Sequence, residues 1–248
     1  MEKLWILCPL IFLAGVVDSI AGGGGLISLS GYLAVGLPPH LALGTNKFSS
    51  TVGTGIAAAR FAKKGYVEWL STLCALAGAL AGSFAGARLA LLLPESVLHY
   101  CMLALIAAVA VFLILKRDFG SGGKVLAKKK MAGYSLLIGV AIGAYDGFFG
   151  PGTGTFLILA FTAVLGLETV YACGNTKFVN LASNVAALVT FILQGNVDYV
   201  IGIPCMLCGI LGNYLGSGLA IRRGVKIVRP VMFAVIGMLF VKLIVDLL

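Results

Sequence analysis

The stretch Gly44-Thr45-Asn46-Lys47-Phe48 returns later in the chain as Gly174-Asn175-Thr176-Lys177-Phe178, an offset of 130 residues. Each copy follows an apolar segment that carries one aspartate, Asp18 or Asp146, and then breaks at a glycine cluster, Gly22-Gly23-Gly24-Gly25 or Gly150-Pro151-Gly152-Thr153-Gly154. A polar signature repeated inside apolar sequence marks a duplicated membrane protein whose centre is built by both halves. Other positions keep the spacing: Gly65 matches Gly195 and Leu89-Ala90 matches Leu219-Ala220 at 130, while Asp18 matches Asp146 at 128. One two-residue indel in the first element therefore aligns the halves.

Composition agrees. Sixty per cent of the 248 residues are hydrophobic and 11 per cent charged, against ~25 per cent charged in a soluble domain, and the mean hydropathy is +1.07. Apolar stretches of about 20 residues, long enough to cross a ~30 Å hydrocarbon core, follow one another with short connections. The net charge of +9 comes from Lys and Arg gathered in those connections, where they set topology; nucleic-acid binding is excluded as a reading. The six cysteines lie in or beside apolar stretches and form neither a disulfide framework nor a zinc set, Cys205-Met206-Leu207-Cys208 included. No metal or cofactor is expected. Lys3 followed by Leu4 to Val17 has the outline of a signal peptide, but this segment has a partner deep in the chain, which argues for its retention.

Four elements per half emerge: Leu4 to Leu37, His40 to Ala62, Val67 to Leu93 and Ser96 to Leu115, then Met131 to Leu167, Thr169 to Gln194, Val197 to Ile221 and Val225 to Leu248. The chain divides into a first transmembrane repeat (1–115), a basic cytoplasmic linker (116–130) and a second repeat (131–248). A straight helix as long as the first element of each half would reach ~50 Å at ~1.5 Å per residue. Each is therefore expected to break at its glycines into two short helices or a re-entrant pair. Broken backbone is tolerated at membrane depth only where protein buries it or it lines a wet cavity.

Charge decides the topology. If each broken element turns back to its starting face, the basic connections at 63–64, 116–130 and 222–229 share one side, as the positive-inside rule requires. The expected fold is thus an all-α polytopic membrane protein of two inverted repeats, each a Gly-broken element plus three transmembrane helices, with both termini outside. Arg88 fits this scheme less well.

Two inverted breaks aim two helix N-termini at one central cavity, where exposed N–H groups and the helix dipole favour negative charge. An anion site is expected there. Gly22, Gly23, Gly24, Gly25, Gly150, Gly152 and Gly154 would supply backbone, Thr153, Thr155 and Ser19 hydroxyls, and Lys47 and Lys177 positive charge. Thr45, Asn46, Asn175, Thr176, Asn180 and Asn184 would complete the polar wall. Alternatives stand beside these readings. The lysines can instead form buried ion pairs with Asp18 and Asp146, and the aspartates can either exchange protons or brace the broken helices. Asn180 and Asn184 can be interhelical glue, and Gly78, Gly82, Gly86, Gly212 and Gly216 are spaced for close helix packing. His40 and His99 read as interfacial.

Asp18 with the Gly22 to Gly25 run, Gly44-Thr45-Asn46-Lys47, the stretch from Asp146 through Phe148, Phe149 and Pro151 to Gly154, and Gly174-Asn175-Thr176-Lys177 resemble the sulfite exporter TauE/SafE family of membrane transporters. The likeness covers essentially the whole chain; Ser30, where relatives often carry proline, departs from it. It implies a multi-pass permease of a bacterial or archaeal cytoplasmic membrane for a small anion, typically a sulfur oxyanion or organosulfonate. Combined with the residue reading, it predicts alternating access coupled to a proton or sodium gradient, with a passive anion channel as the alternative. No enzymatic activity is expected: an intramembrane aspartyl protease needs a GxGD motif, and Asp18 sits in Val-Val-Asp-Ser.

Overall fold

A computed structural model describes residues 2–98, 100, 101, 104 and 126–247. The expected helix Ser96 to Leu115 for its greater part, residues 116–125 of the linker, and His99 lie outside the described residues. Among those described, the chain is helical without strands: α1 (Glu2–Ala21), α2 (Gly24–Ala34), α3 (Pro39–Lys63), α4 (Trp69–Leu92), α5 (Lys128–Phe148), α6 (Thr153–Ala163), α7 (Thr169–Leu193), α8 (Tyr199–Arg223) and α9 (Val225–Leu247). Five of these, α1, α4, α5, α7 and α8, are long and apolar enough to cross a membrane. α3 matches α7 in length at 25 residues and carries the polar run from Thr45 to Thr51. Large apolar side chains such as Trp5, Leu92, Leu193 and Val200 face outward, as lipid-facing surface does.

The glycine clusters break the long first elements as their composition requires. Gly22 has φ +77° and Gly150 φ +94°, a left-handed conformation that costs an L side chain roughly 1–2 kcal/mol. A Cβ at Gly22 would also overlap the backbone of Gly154, and one at Gly154 would overlap Gly22. The two breaks therefore touch backbone to backbone. Past its break, α2 runs back along α1: Gly24 lies against Ala14 and Asp18, and Gly31 against Leu7 and Leu10.

Helix directions follow from which residues meet. Gly44 abuts the Asn196 carbonyl, Gly55 faces Leu181 at 3.7 Å from an ideal Cβ, and Gly174 abuts the Tyr66 carbonyl, so α3 and α7 run antiparallel. α3 runs parallel to α8, from the Thr45–Asp198 contact to the Arg60 guanidinium over the Tyr214 ring at 4.0 Å. α4 likewise runs parallel to α7, from Glu68–Asn175 to Ser83–Ser183.

The halves interlock, because the first helix of each packs along a late helix of the other. On α4, Gly78, Gly82 and Gly86 meet the carbonyls of Leu136, Val140 and Ala144 of α5, while Gly139 and Gly147 meet those of Ala75 and Ser83 in return. On α8, Gly212 and Gly216 meet the carbonyls of Phe12 and Val16 of α1. Lipid supplies no hydrophobic drive between helices, so such seams hold through the van der Waals contact that small residues permit. Because α3 and α8 are parallel, Lys63, Lys64, Arg222 and Arg223 share one end of the bundle. α5 runs beside α4 in the same direction, and that brings Lys128, Lys129 and Lys130 to the same end.

Candidate functional site

The breaks, the middle of α3 and α7, and α8 enclose a cavity of about 50 Å³, room for a few waters or a small polyatomic ion. Gly24 and Gly25 at the start of α2, and Thr153 and Gly154 at the start of α6, line it. Neither helix start has a side-chain cap, and the positive end of each helix dipole lies at these cavity-lining residues. Thr153 Oγ1 donates to the Gly150 carbonyl at 2.6 Å and closes the second break.

Both lysines are fully buried, Lys47 at 2 per cent exposure and Lys177 at 0 per cent, and each is paired with the aspartate of the opposite half. Lys47 Nζ donates to Asp146 Oδ2 at 2.6 Å and to Asn184 Oδ1 at 2.9 Å. Lys177 Nζ donates to Asp18 Oδ2 at 2.9 Å and to the Asp18 backbone carbonyl. Of the two readings open from the sequence, the ion pairs are what this conformation contains. Two lysines and two aspartates cancel, so the centre carries no formal net charge. Removing one partner of such a buried pair typically costs ~3–5 kcal/mol.

Their surroundings differ. Asp146 Oδ2 also accepts from Ser183 Oγ at 2.5 Å, and its side chain is 3 per cent exposed, against 16 per cent for Asp18. At the repeat offset, Ser183 and Asn184 correspond to Gly53 and Thr54. Asp18 thus lacks the serine that secures Asp146.

Of the residues expected at the site, Asp18, Gly22, Gly24, Gly25, Asn46, Lys47, Asp146, Gly150, Thr153, Gly154, Asn180 and Asn184 line the cavity together. Asn46 Oδ1 is buried there without a hydrogen-bond partner. A half-turn of its amide offers the cavity either that acceptor or two N–H donors.

Other expected residues serve the framework instead. Thr45 Oγ1 accepts from the Asp198 N–H at 2.9 Å, and Asn175 Oδ1 accepts from the Glu68 N–H at 2.9 Å. Asp198 and Glu68 are the N-cap residues of α8 and α4, so each repeat braces a helix start of the other. Thr155 Oγ1 donates to the Ala21 carbonyl at 2.8 Å, tying α6 to the end of α1, and Ser19 Oγ donates to the side-chain oxygen of Asn213 at 2.7 Å. Gly23 packs against Val235 of α9. Gly152 is the N-cap of α6 with φ +81°. Thr176 and Lys177 are buried and do not line the cavity themselves, though Lys177 bonds the cavity-lining Asp18.

Asn213, whose own amide donates to the Gly209 carbonyl at 3.0 Å, also lines the cavity, and Ser183 holds Asp146; neither was expected. A lone asparagine in the glycine-rich apolar span of α8 was the available signal for the first, and the one-turn spacing from Asn180 for the second.

Comparison with known proteins gives the family. The model of the family described as sulfite exporter TauE/SafE matches residues 7–243. The "Probable membrane transporter protein ORF9" of Sinorhizobium sp is 37% identical over 235 residues, covering 95% of this chain and 90% of the relative. The "Probable membrane transporter protein YfcA" of Escherichia coli K12 is 33% identical over 245 residues, covering 98% and 90%. A "Probable membrane transporter protein" of Haemophilus influenzae is 32% identical over 246 residues, covering 99% and 96%. No solved structure matches the chain. A multi-pass helical chain with a polar centre and these relatives is a membrane transporter. It belongs to the sulfite exporter TauE/SafE family.

Proposed function

We propose that this transporter carries a small anion, a sulfur oxyanion or an organosulfonate, across a bacterial cytoplasmic membrane by alternating access. The observation that carries the reading is the pair of uncapped helix starts, at α2 and α6, meeting one small cavity. Backbone N–H groups and two dipole ends stabilise negative charge without mobile cations, and the amides of Asn46, Asn180 and Asn184 orient it. The cavity's size suits an ion of a few heavy atoms. The preference for sulfur rests on the family's description.

The same reading takes residues 1–115 and 131–248 as inverted repeats joined by a cytoplasmic linker at 116–130. The antiparallel run of α3 against its repeat partner α7 supports inversion, and repeats that face opposite ways exchange roles when one rocks against the other. The basic residues gathered at one end of the bundle support a cytoplasmic placement of that end, with both termini outside.

The test is counterflow in proteoliposomes containing the purified protein. Internal unlabelled sulfite, thiosulfate or sulfoacetate is expected to drive accumulation of the labelled external anion, with acetate ineffective. Equilibration without overshoot would make the protein a passive channel, and indifference to all three anions would overturn the reading.

A further inference from the structure

We propose that Asp18, and not Asp146, is the carboxylate that takes up a proton when the anion enters, so that each transported anion brings a proton with it. This rests on the anion reading above and adds the coupling ion and its residue.

The buried centre already balances, with Lys47 against Asp146 and Lys177 against Asp18. An anion added to it is an uncompensated buried charge, and such a charge is expensive at membrane depth. Neutralising one carboxylate lowers that cost by one charge and leaves one lysine's charge to offset the anion.

The two carboxylates are not equally placed to accept the proton. Protonating Asp146 would disturb two donors at once: Lys47 would keep only Asn184 as an acceptor, and Ser183 would lose the charged acceptor that it meets at 2.5 Å. Protonating Asp18 disturbs less, because Lys177 also donates to the Asp18 backbone carbonyl. That carbonyl stays an acceptor whatever the state of the carboxyl. Both carboxylates line the cavity, where water can deliver a proton, and Asp18 is the more accessible of the two.

Among the described residues, the titratable and charged groups facing Asp18 are few. α7 contributes Lys177 and Cys173, whose thiol reaches the Ile20 carbonyl. Across the cavity stand Lys47 of α3 and Asp146 of α5. α2, α6 and α8 face it with glycine, serine, threonine and asparagine, and α9 packs Val235 against Gly23 nearby. In the step itself, a proton from bulk solution, relayed by cavity water, is added to a carboxylate oxygen of Asp18. Lys177 remains an ammonium, and the centre changes from neutral to singly positive as the anion arrives.

The experiment uses the full chain in proteoliposomes with thiosulfate as probe, a dianion throughout the neutral range that brings no proton of its own. Calorimetry in two buffers of different ionisation heat is expected to give uptake of about one proton per thiosulfate bound, and wild-type affinity is expected to fall as pH rises, up to about tenfold per pH unit. Asp18→Asn is expected to bind thiosulfate with an affinity independent of pH and no proton uptake. Infrared difference spectra check this in chains that keep a carboxyl. The protonated-carboxyl band that thiosulfate induces is expected to shift in Asp18→Glu and stay put in Asp146→Glu. Binding without proton uptake, dependence on sodium instead, or uptake that survives in Asp18→Asn overturns the assignment while leaving the anion reading intact. Indifference to thiosulfate, sulfite and sulfoacetate alike overturns the anion reading and this assignment with it.

Discussion

The two lysine–aspartate pairs occupy equivalent places in the repeat and are built to different standards. Lys47–Asp146 is locked by Asn184 and Ser183 and almost sealed. Lys177–Asp18 has a backbone carbonyl as its reserve partner and the more exposed carboxylate. At the repeat offset, Gly53 and Thr54 stand where Ser183 and Asn184 hold the first pair, so the two pairs differ in the side chains around them.

The comparison breaks most visibly at Asp146. Asp146→Ala strands Lys47 and is expected to cost ~3–5 kcal/mol, read as a large fall in thermal stability of the purified protein. Asp18→Ala is expected to cost clearly less, because Lys177 keeps the Asp18 carbonyl; equal losses would erase the distinction between the pairs. Ser183→Ala sharpens it. Losing a hydrogen bond to a charged group costs about 1.5–3 kcal/mol, and Asp146 should then behave more like Asp18, adding a second pH-dependent step to anion binding. The smallest expected effect lies in the framework contacts. Thr45→Ala, which removes one bond to the Asp198 N–H, is expected to cost about 0.5–1.5 kcal/mol. Asn175→Ala should exceed it, since Asn175 also donates to Ser71 Oγ at 2.8 Å. Neither should alter the pH dependence of binding.

Much of this was legible in the sequence. The repeat, the broken elements and the helix-packing glycines showed because each is a spacing, and a spacing survives without coordinates. The cavity wall was only half legible. Thr45 and Asn175 look like site residues because they flank Asn46, Lys47, Thr176 and Lys177, yet a helix turns about 100° per residue, which carries a neighbour of Lys47 away to the start of α8. The pairing was hidden for another reason. Two lysines and two aspartates at nearly equal offsets fit together within halves or across them, and only the way α1 interlocks with α8, and α4 with α5, selects the crossed arrangement. Asn213 had no repeated counterpart to draw notice, since the matching residue is Ser83.

The crossed assembly of the centre is the claim on which the rest depends, and double-mutant cycles on stability test it most directly. Lys47 with Asp146, and Lys177 with Asp18, are predicted to couple by about 0.5–3 kcal/mol, as contacting residues do, and more strongly than Lys47 with Asp18 or Lys177 with Asp146. Stronger coupling within the halves than between them would contradict the account.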